Sequence, residues 1–216
     1  MPDLNQPDSS LPGIVLLGAG GHCQACIDVI EAEGRCRVAA LVDLPANLGQ
    51  KIGNYIINYT DNDLPELLNQ YPNALVTLGQ IKNASLRIKL FQTLLNLNAS
   101  LPSPISPLAY VSKSASLGEG SIVMHHALLN SGATVGQNCI INTKALLEHG
   151  ASVGDHCHIS TAAVLNGEVT IENACFIGSN ATIAEGVRIG HTSLVAASAI
   201  VMRNVPPHSI VKGLWA

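Results

Sequence analysis

From Val111 to Val201 every sixth residue is Val, Leu or Ile, sixteen positions in succession without an insertion. Four residues after each stands a small side chain, as at Ala115, Ser121, Ala127, Ala133, Cys139 and Ala145, and so on to Val205. Neither the helical period of 3.6 nor the strand period of two produces a strict six. A hexapeptide repeat does: each hexad forms one flat side, and three sides close a triangular coil of eighteen residues. The branched residue points into the prism and the small one fits beside it near the corner. Sixteen hexads then make a little over five coils, stacked about 4.8 Å apart by parallel strand pairing. Gly118, Gly136, Gly154 and Gly190, with Asn130, Asn142 and Asn166, are expected to supply positive φ at the turns.

Composition agrees with such a core. Aromatic residues are 3% and charged residues 12% of the 216, so the interior must be built from small and branched aliphatics. A net charge of −4 without a basic run argues against nucleic acid or an anionic membrane as partner. No segment reads as a membrane span, and MPDLNQPDSSLP lacks the features of a signal peptide, which points to a soluble cytoplasmic protein. Of the six cysteines, Cys139, Cys157 and Cys175 are eighteen apart and should stack as core residues on one edge. Cys23 and Cys26 form a CxxC on an expected helix. Packing of small apolar groups is the simpler reading there, against a redox or metal site.

Before Val111 the pattern changes to alternating strands and helices, the signature of a small parallel sheet. Strands are expected at 13–17, 37–42 and 74–78, and helices at 22–33, 64–70 and 84–96, the last capped by Asn83. The fold class is therefore α/β plus all-β. A flexible tail (1–12) precedes a Rossmann-like nucleotide-sugar-binding domain (13–104), and a β-helix domain follows (105–216). The proline-rich LPSPISP at 101–107 joins the halves. Between the first strand and its helix lies Gly18-Ala19-Gly20-Gly21-His22, where phosphate would meet backbone N–H groups and the helix dipole. The dinucleotide fingerprint is incomplete, because Cys23 stands where its last glycine belongs. Asp43, ending the second strand, could accept hydrogen bonds from a ribose or a base edge. A tight turn with a solvated aspartate is the alternative.

A Rossmann-like half with GAGGH (18–22), GQIK with Arg87 (79–87), IINT (140–143), EHG (148–150) and DHCHIS (155–160) resembles a known family. It looks like the bacterial sugar acyltransferases, which include the sialic-acid O-acetyltransferase type and the nucleotide-amino-sugar N-acetyltransferases. The resemblance implies a left-handed parallel β-helix, a homotrimer, and acetyl-CoA in a cleft between subunits, with no metal. It makes His149 the catalytic base, with Glu148 and Asn142 lining the sugar pocket. His158 and Gly167 fall near the thioester carbonyl, and Ser179 and Ala197 along the pantetheine arm. Gly18, Gly20, Gly21, His22 and Asp43 hold the sugar nucleotide. The family usually carries an acid directly after the base; this chain has Gly150.

Acyl transfer from a thioester needs a proton acceptor, donors for the oxyanion, and alignment. An imidazole, with an ordinary pKa near 6.5, can accept the proton at neutral pH. His149 and His158 are nine residues apart, half a coil, so they can meet only between protomers. Glu148 or a carboxylate of a neighbouring subunit is expected to substitute for the acid missing at Gly150. Two other readings share the prism. A zinc hydratase of the γ-carbonic-anhydrase kind would need three imidazoles at spacings this chain does not match. A non-catalytic sugar-nucleotide binder is compatible with Gly150. Within that resemblance GQIK leans toward the sialic-acid branch, with O-acetylation, and the glycine-loop domain suits a nucleotide-linked amino sugar of surface-glycan synthesis. Acetylation of the latter's amino group is the expectation and O-acetylation the alternative, since residue patterns fix neither.

Overall fold

The computed structural model describes residues 10–216, so positions 1–9 of the expected tail lie outside the described residues. Two compact units emerge. One takes in the residues up to Gly79 together with Lys89–Pro102; the other comprises Gln80–Ile88 and Ser103–Ala216.

The first unit is a small sheet with helices. Its elements are β1 (Gly13–Leu17), α1 (Gly21–Glu33), β2 (Arg37–Val42), β3 (Lys51–Ile52), β4 (Tyr55–Tyr59), α2 (Leu64–Gln70) and β5 (Asn73–Val76). Helix α3 (Ser85–Asn96) contributes to it from Lys89 onward. Strand order is β3-β4-β2-β1-β5, with β1 parallel to both β2 and β5. All five residues of β1 are buried, which is why GIVLL is apolar without alternation. Helix α1 buries Cys23, Cys26, Ile27, Val29 and Ile30, and stops at Gly34, whose left-handed backbone lets its N–H reach Ile30 O at 3.1 Å. Asn83 caps α3 as expected, its Oδ1 accepting the Ser85 N–H at 3.1 Å.

The β3–β4 hairpin is absent from the sequence reading. Lys51 pairs with Ile56 and Ile52 with Tyr55, so the loop is Gly53-Asn54, with Gly53 at φ 57°. A glycine–asparagine pair between two β-prone runs is a hairpin signal. With β3 only two residues long, the run before the turn is too short to show a strand period.

The second unit is a parallel β-helix. Two-residue strands from Tyr110–Val111 to Leu214–Trp215 form three parallel sheets of five, six and seven strands, one per face of a prism. Register is eighteen residues: Ile141 pairs with Ile159, Leu147 with Leu165, Val153 with Ile171. The second residue of each strand faces inward; Leu129, Ile141, Leu147, Ile159, Leu165, Ile177 and Ile183 are fully buried. Cys139, Cys157 and Cys175 stack in the core as free thiols. Their Sγ atoms contact the carbonyls of Gly154, Glu172 and Gly190 in the following coil at 3.1, 3.1 and 3.2 Å.

The outward residues give each face a character. The five-stranded face presents Ser116, Thr134, Ser152, Thr170 and Arg188. The seven-stranded face presents Tyr110, Leu128, Leu146, Val164, Thr182, Ile200 and Leu214, an almost unbroken apolar ladder. Tyr110, Ile200 and Leu214 are 60%, 47% and 68% exposed in the single subunit.

The turn glycines act differently from expectation. Positive φ falls on every sixth residue, and most holders are not glycine: Lys144 (60°), His156 (59°), Ala162 (55°), Glu168 (59°) and Ala174 (59°) among them. Gly118, Gly136, Gly154 and Gly190, with Asn130, Asn142 and Asn166, do not occupy those positions. The four glycines instead permit close stacking. A Cβ on Gly118 would lie 2.5 Å from Gly136 C, and one on Gly190 would lie 2.4 Å from Pro207 N. Gly178 is alike, 2.5 Å from Ala197 N.

The two kinds of position predict opposite signs. Gly178→Ala should destabilise by about 1–3 kcal/mol, because backbone must move to admit the methyl group. Ala162→Gly should stabilise by roughly 0.5 kcal/mol, since it relieves a left-handed alanine at a smaller entropic cost. Urea denaturation midpoints of the two variants check both signs.

Candidate active site

The glycine loop is built by its neighbours in the first unit. Gly18 has φ 95°, and a Cβ there would sit 3.0 Å from the Leu78 backbone N, so this glycine is required by the fold. Gly20 and Gly21 differ: nothing lies within 4 Å of where their Cβ atoms would be. Gly20 is the N-cap of α1, with no side-chain cap and no acidic residue in the first turn. The helix dipole therefore meets open space, where an anion is favoured.

Asp43 is already engaged. Its Oδ2 accepts the Ala19 N–H at 2.6 Å, while Oδ1 accepts the Leu44 N–H at 2.6 Å and the Asn47 amide at 3.0 Å. Partial burial pushes this carboxyl upward, but the three donors outweigh it and hold it below the usual range. Asp43 thus ties the end of β2 to the glycine loop. His22 opens α1 and places Nε2 3.4 Å from Cys26 Sγ, one turn along. Burial pushes the Cys23 thiol up to about 11, so at neutral pH it stays protonated, as a packing residue would.

In the second unit the expected acyl-transfer residues occupy two edges of the prism, one on each side of the seven-stranded face. Asn142 and His149 are separated along the chain by the strand Leu146–Leu147 of that face.

On one edge, the His149 imidazole lies over Gly167. A Cβ on Gly167 would come within 2.6 Å of Cε1 and 2.7 Å of Nε2, so only glycine leaves room for the ring. The ring is 62% exposed, and Glu148 Oε2 stands 3.5 Å from its Nδ1. The same oxygen accepts the Asn130 amide at 2.7 Å and the His149 N–H at 3.2 Å. Asn130 first, then the His149 N–H, holds the Glu148 carboxyl below its ordinary value, so it is ionised at neutral pH. Asn130 was not among the expected site residues, although its eighteen-residue offset from Glu148 makes it readable.

The other edge carries Asn142, Ser179 and Ala197. Ser179 Oγ pairs with Ser160 Oγ at 3.0 Å, and Ala197 is exposed. Beside them, on the six-stranded face, His158 is buried at 7% exposure against Phe176, ring centroids 5.2 Å apart. Its Nδ1 is 2.6 Å from Gln80 O, which can only accept, so Nδ1 bears the proton. Nε2 then accepts the Asn142 amide at 3.1 Å. Both ring nitrogens are engaged, and burial, ahead of every other influence, lowers the pKa to about 4. This imidazole is neutral and a poor proton acceptor. Gln80, buried at 3%, had no sequence signal for this role, because it lies 78 residues from His158. Arg87 of the same stretch donates from Nε to Asn138 O at 3.2 Å.

Comparison with known proteins follows these two halves. The PglD N-terminal domain family matches residues 13–94, and the hexapeptide repeat of succinyl-transferase matches 168–203. Perosamine N-acetyltransferase from Caulobacter crescentus, solved as a histidine variant with CoA and GDP-perosamine, is 32% identical at TM-score 0.86, covering 93% of each chain. The chain belongs to the bacterial sugar acyltransferases. A further solved member is the acetyltransferase domain of PglB from Neisseria gonorrhoeae in complex with acetyl coenzyme A. It is 26% identical at TM-score 0.81, over 93% of this chain and 95% of that one. WeeI from Acinetobacter baumannii shares the fold at 20% identity and TM-score 0.78, covering 92% and 96%. No curated protein sequence matches. The fold class is that of these acyltransferases, a Rossmann-like domain followed by a left-handed parallel β-helix. Among the described residues, no cluster of three or more His, Cys, Asp or Glu side chains could hold a metal ion, and no helix is long and apolar enough to cross a membrane.

Two tests follow from this geometry. Between about pH 4 and 6.5 the unfolded chain binds a proton at His158 that the folded chain does not, so stability should fall as pH drops through that window. The loss is of order 3 kcal/mol by its lower end. Denaturation of His158→Gln at pH 7 and pH 5 should show a flatter dependence. Separately, Gly20→Val should cost only about 1 kcal/mol, the usual difference at an N-cap, because the space is open. If the loop holds a nucleotide sugar, it should weaken that ligand by tenfold or more and spare acetyl-CoA. Calorimetric titration of both ligands checks this.

Proposed function

We propose that this acyltransferase moves the acetyl group of acetyl-CoA to the amino group of a nucleotide-linked amino sugar, with His149 as general base. The observation that carries the reading is the His149 imidazole: exposed on a prism edge, seated on Gly167, and faced by an ionised Glu148. His158 cannot compete for the role, since both its nitrogens are engaged and its basicity is low. Glu148 also answers the want of an acid at Gly150, which leaves the non-catalytic reading without support. N-acylation is favoured because the relative with 32% identity is a perosamine N-acetyltransferase, solved with CoA and GDP-perosamine. Nothing favours the sialic-acid reading suggested by GQIK, as Gln80 and Arg87 of that stretch pack onto the prism.

The chemistry runs in one displacement. The amine nitrogen attacks the thioester carbon as His149 takes the amine's proton. Negative charge gathers on the carbonyl oxygen, where the Gly167 N–H, which meets no acceptor among the described residues, is a suitable donor. The C–S bond then breaks, and the leaving thiolate receives the proton that His149 carries. Glu148 stabilises the imidazolium in between, as the acid of a triad does.

We further propose a homotrimer acting in the cytoplasm, where acetyl-CoA and nucleotide sugars are formed. His149 and Gly167 of one subunit would meet Asn142, His158, Ser179 and Ala197 of the next. The apolar ladder from Tyr110 to Leu214 lies between those two edges and suits burial against a second copy. Release of free thiol from acetyl-CoA, measured with UDP-, GDP- and CMP-linked sugars, should require an amino sugar. His149→Ala should lower turnover by about 10²-fold or more with both substrates still bound. Co-expression of His149→Ala chains with Asn142→Ala chains should restore part of the activity by forming intact mixed sites. Normal turnover in His149→Ala would overturn the base, and lack of complementation would overturn the shared site.

A further inference from the structure

Glu148 leaves the base incompletely served. Its Oε2 is divided among the Asn130 amide, the His149 N–H and the ring, and the ring contact of 3.5 Å is long. The next residue, Gly150, has φ 65° and offers no side chain. The space beside it is taken by another residue. A Cβ at position 150 would meet Glu168 Cγ at 3.5 Å and nothing nearer. Glu168 is fixed there by its own backbone, whose N–H donates to His149 O at 2.9 Å. Its side chain leaves a left-handed turn residue, φ 59°, directly after Gly167, on which the imidazole rests.

We propose that Glu168 is a positioning residue for His149, its carboxylate reaching back from the following coil into the space Gly150 leaves and stabilising the imidazolium formed when His149 takes a proton. The inference rests on His149 being the base, and adds a second acid from a different coil. The charged groups sharing this edge are Lys113 two coils earlier, Glu148 on the same turn, Glu168 one coil later, Glu185 two later and Arg203 three later. Glu185 shares the column of His149 and Gly167, whereas Glu168 alone among the later acids meets the Gly150 position. Glu168 is exposed, so its influence is that of a screened surface charge, a few-fold in rate.

The test is a set of pH–rate profiles on the full chain with acetyl-CoA and the amino-sugar nucleotide it accepts. Glu168→Gln should lower kcat about three- to fivefold with KM for both substrates within twofold, and move the acidic limb of the profile to lower pH. A carboxylate restored from the other side, in Gly150→Asp combined with Glu168→Gln, should return both the rate and the limb. Asp tolerates φ near 65° better than most residues, and Glu168 already sits at such an angle. Glu185→Gln should leave the profile in place. In a His149→Ala background, Glu168→Gln should cost nothing further, because its effect passes through the imidazole. The proposal is overturned if Glu168→Gln leaves rate and profile unchanged, if Glu185→Gln shifts the limb equally, if Gly150→Asp gives no rescue, or if the loss persists at full size without His149. Failure of the base reading itself shows differently, as undiminished turnover in His149→Ala alone.

Discussion

The interaction on which everything else rests is the hydrogen bond between successive coils. Ile140 donates to Cys157 O at 2.9 Å, Asn142 to Ile159 O at 2.9 Å, Glu148 to Leu165 O at 2.9 Å, and the pattern continues along all three faces. Each bond is worth only about 1 kcal/mol net. Together they force residues eighteen apart into columns, and a column is what turns a linear pattern into an edge. Branched aliphatics then fill the interior, where each fully buried side chain adds about 1.5–3 kcal/mol. In a chain so poor in aromatic residues, repetition replaces bulk.

The same columns assemble the chemistry. Asn130 can hold Glu148 because it is one coil earlier; Gly167 can seat the His149 ring because it is one coil later. Coil stacking holds these groups more firmly than a free loop would, so orientation is set before any ligand arrives. The state of charge on the two edges differs. Beside His149, Glu148 is half-buried and ionised, whereas His158 is dry and neutral. On the proposed reading, one edge exchanges protons and the other holds a fixed hydrogen-bond pattern.

How far the sequence was legible follows from these causes. The period of six reveals the inward ladder, the cysteine stack and the separation of His149 from His158, since all are functions of position modulo eighteen. It misassigns Gly118, Gly136, Gly154 and Gly190, because glycine serves both positive φ and close stacking, and spacing does not distinguish them. Of the two partners of His158, Asn142 stands among the expected site residues, but Gln80 does not. Gln80 arrives from outside the repeat, and nothing in a periodic pattern announces a visitor. At Asp43 the sequence leaves a ligand contact and a turn aspartate open; its three internal donors show how a carboxylate at a strand end serves the loop beside it.

Eighteen-residue registry also governs how such a chain can change. Substitutions are local, since each residue touches mainly its own column. Changes in length are not. Six residues inserted before Glu148 would turn everything after them by one face, carrying the imidazole to an edge where neither Asn130 nor the apolar ladder awaits it. A single residue would turn inward aliphatics outward. Only whole coils of eighteen could be added or removed with the edges kept in place. The length of this prism can therefore drift only in steps of one full turn, while its surface is free to vary residue by residue.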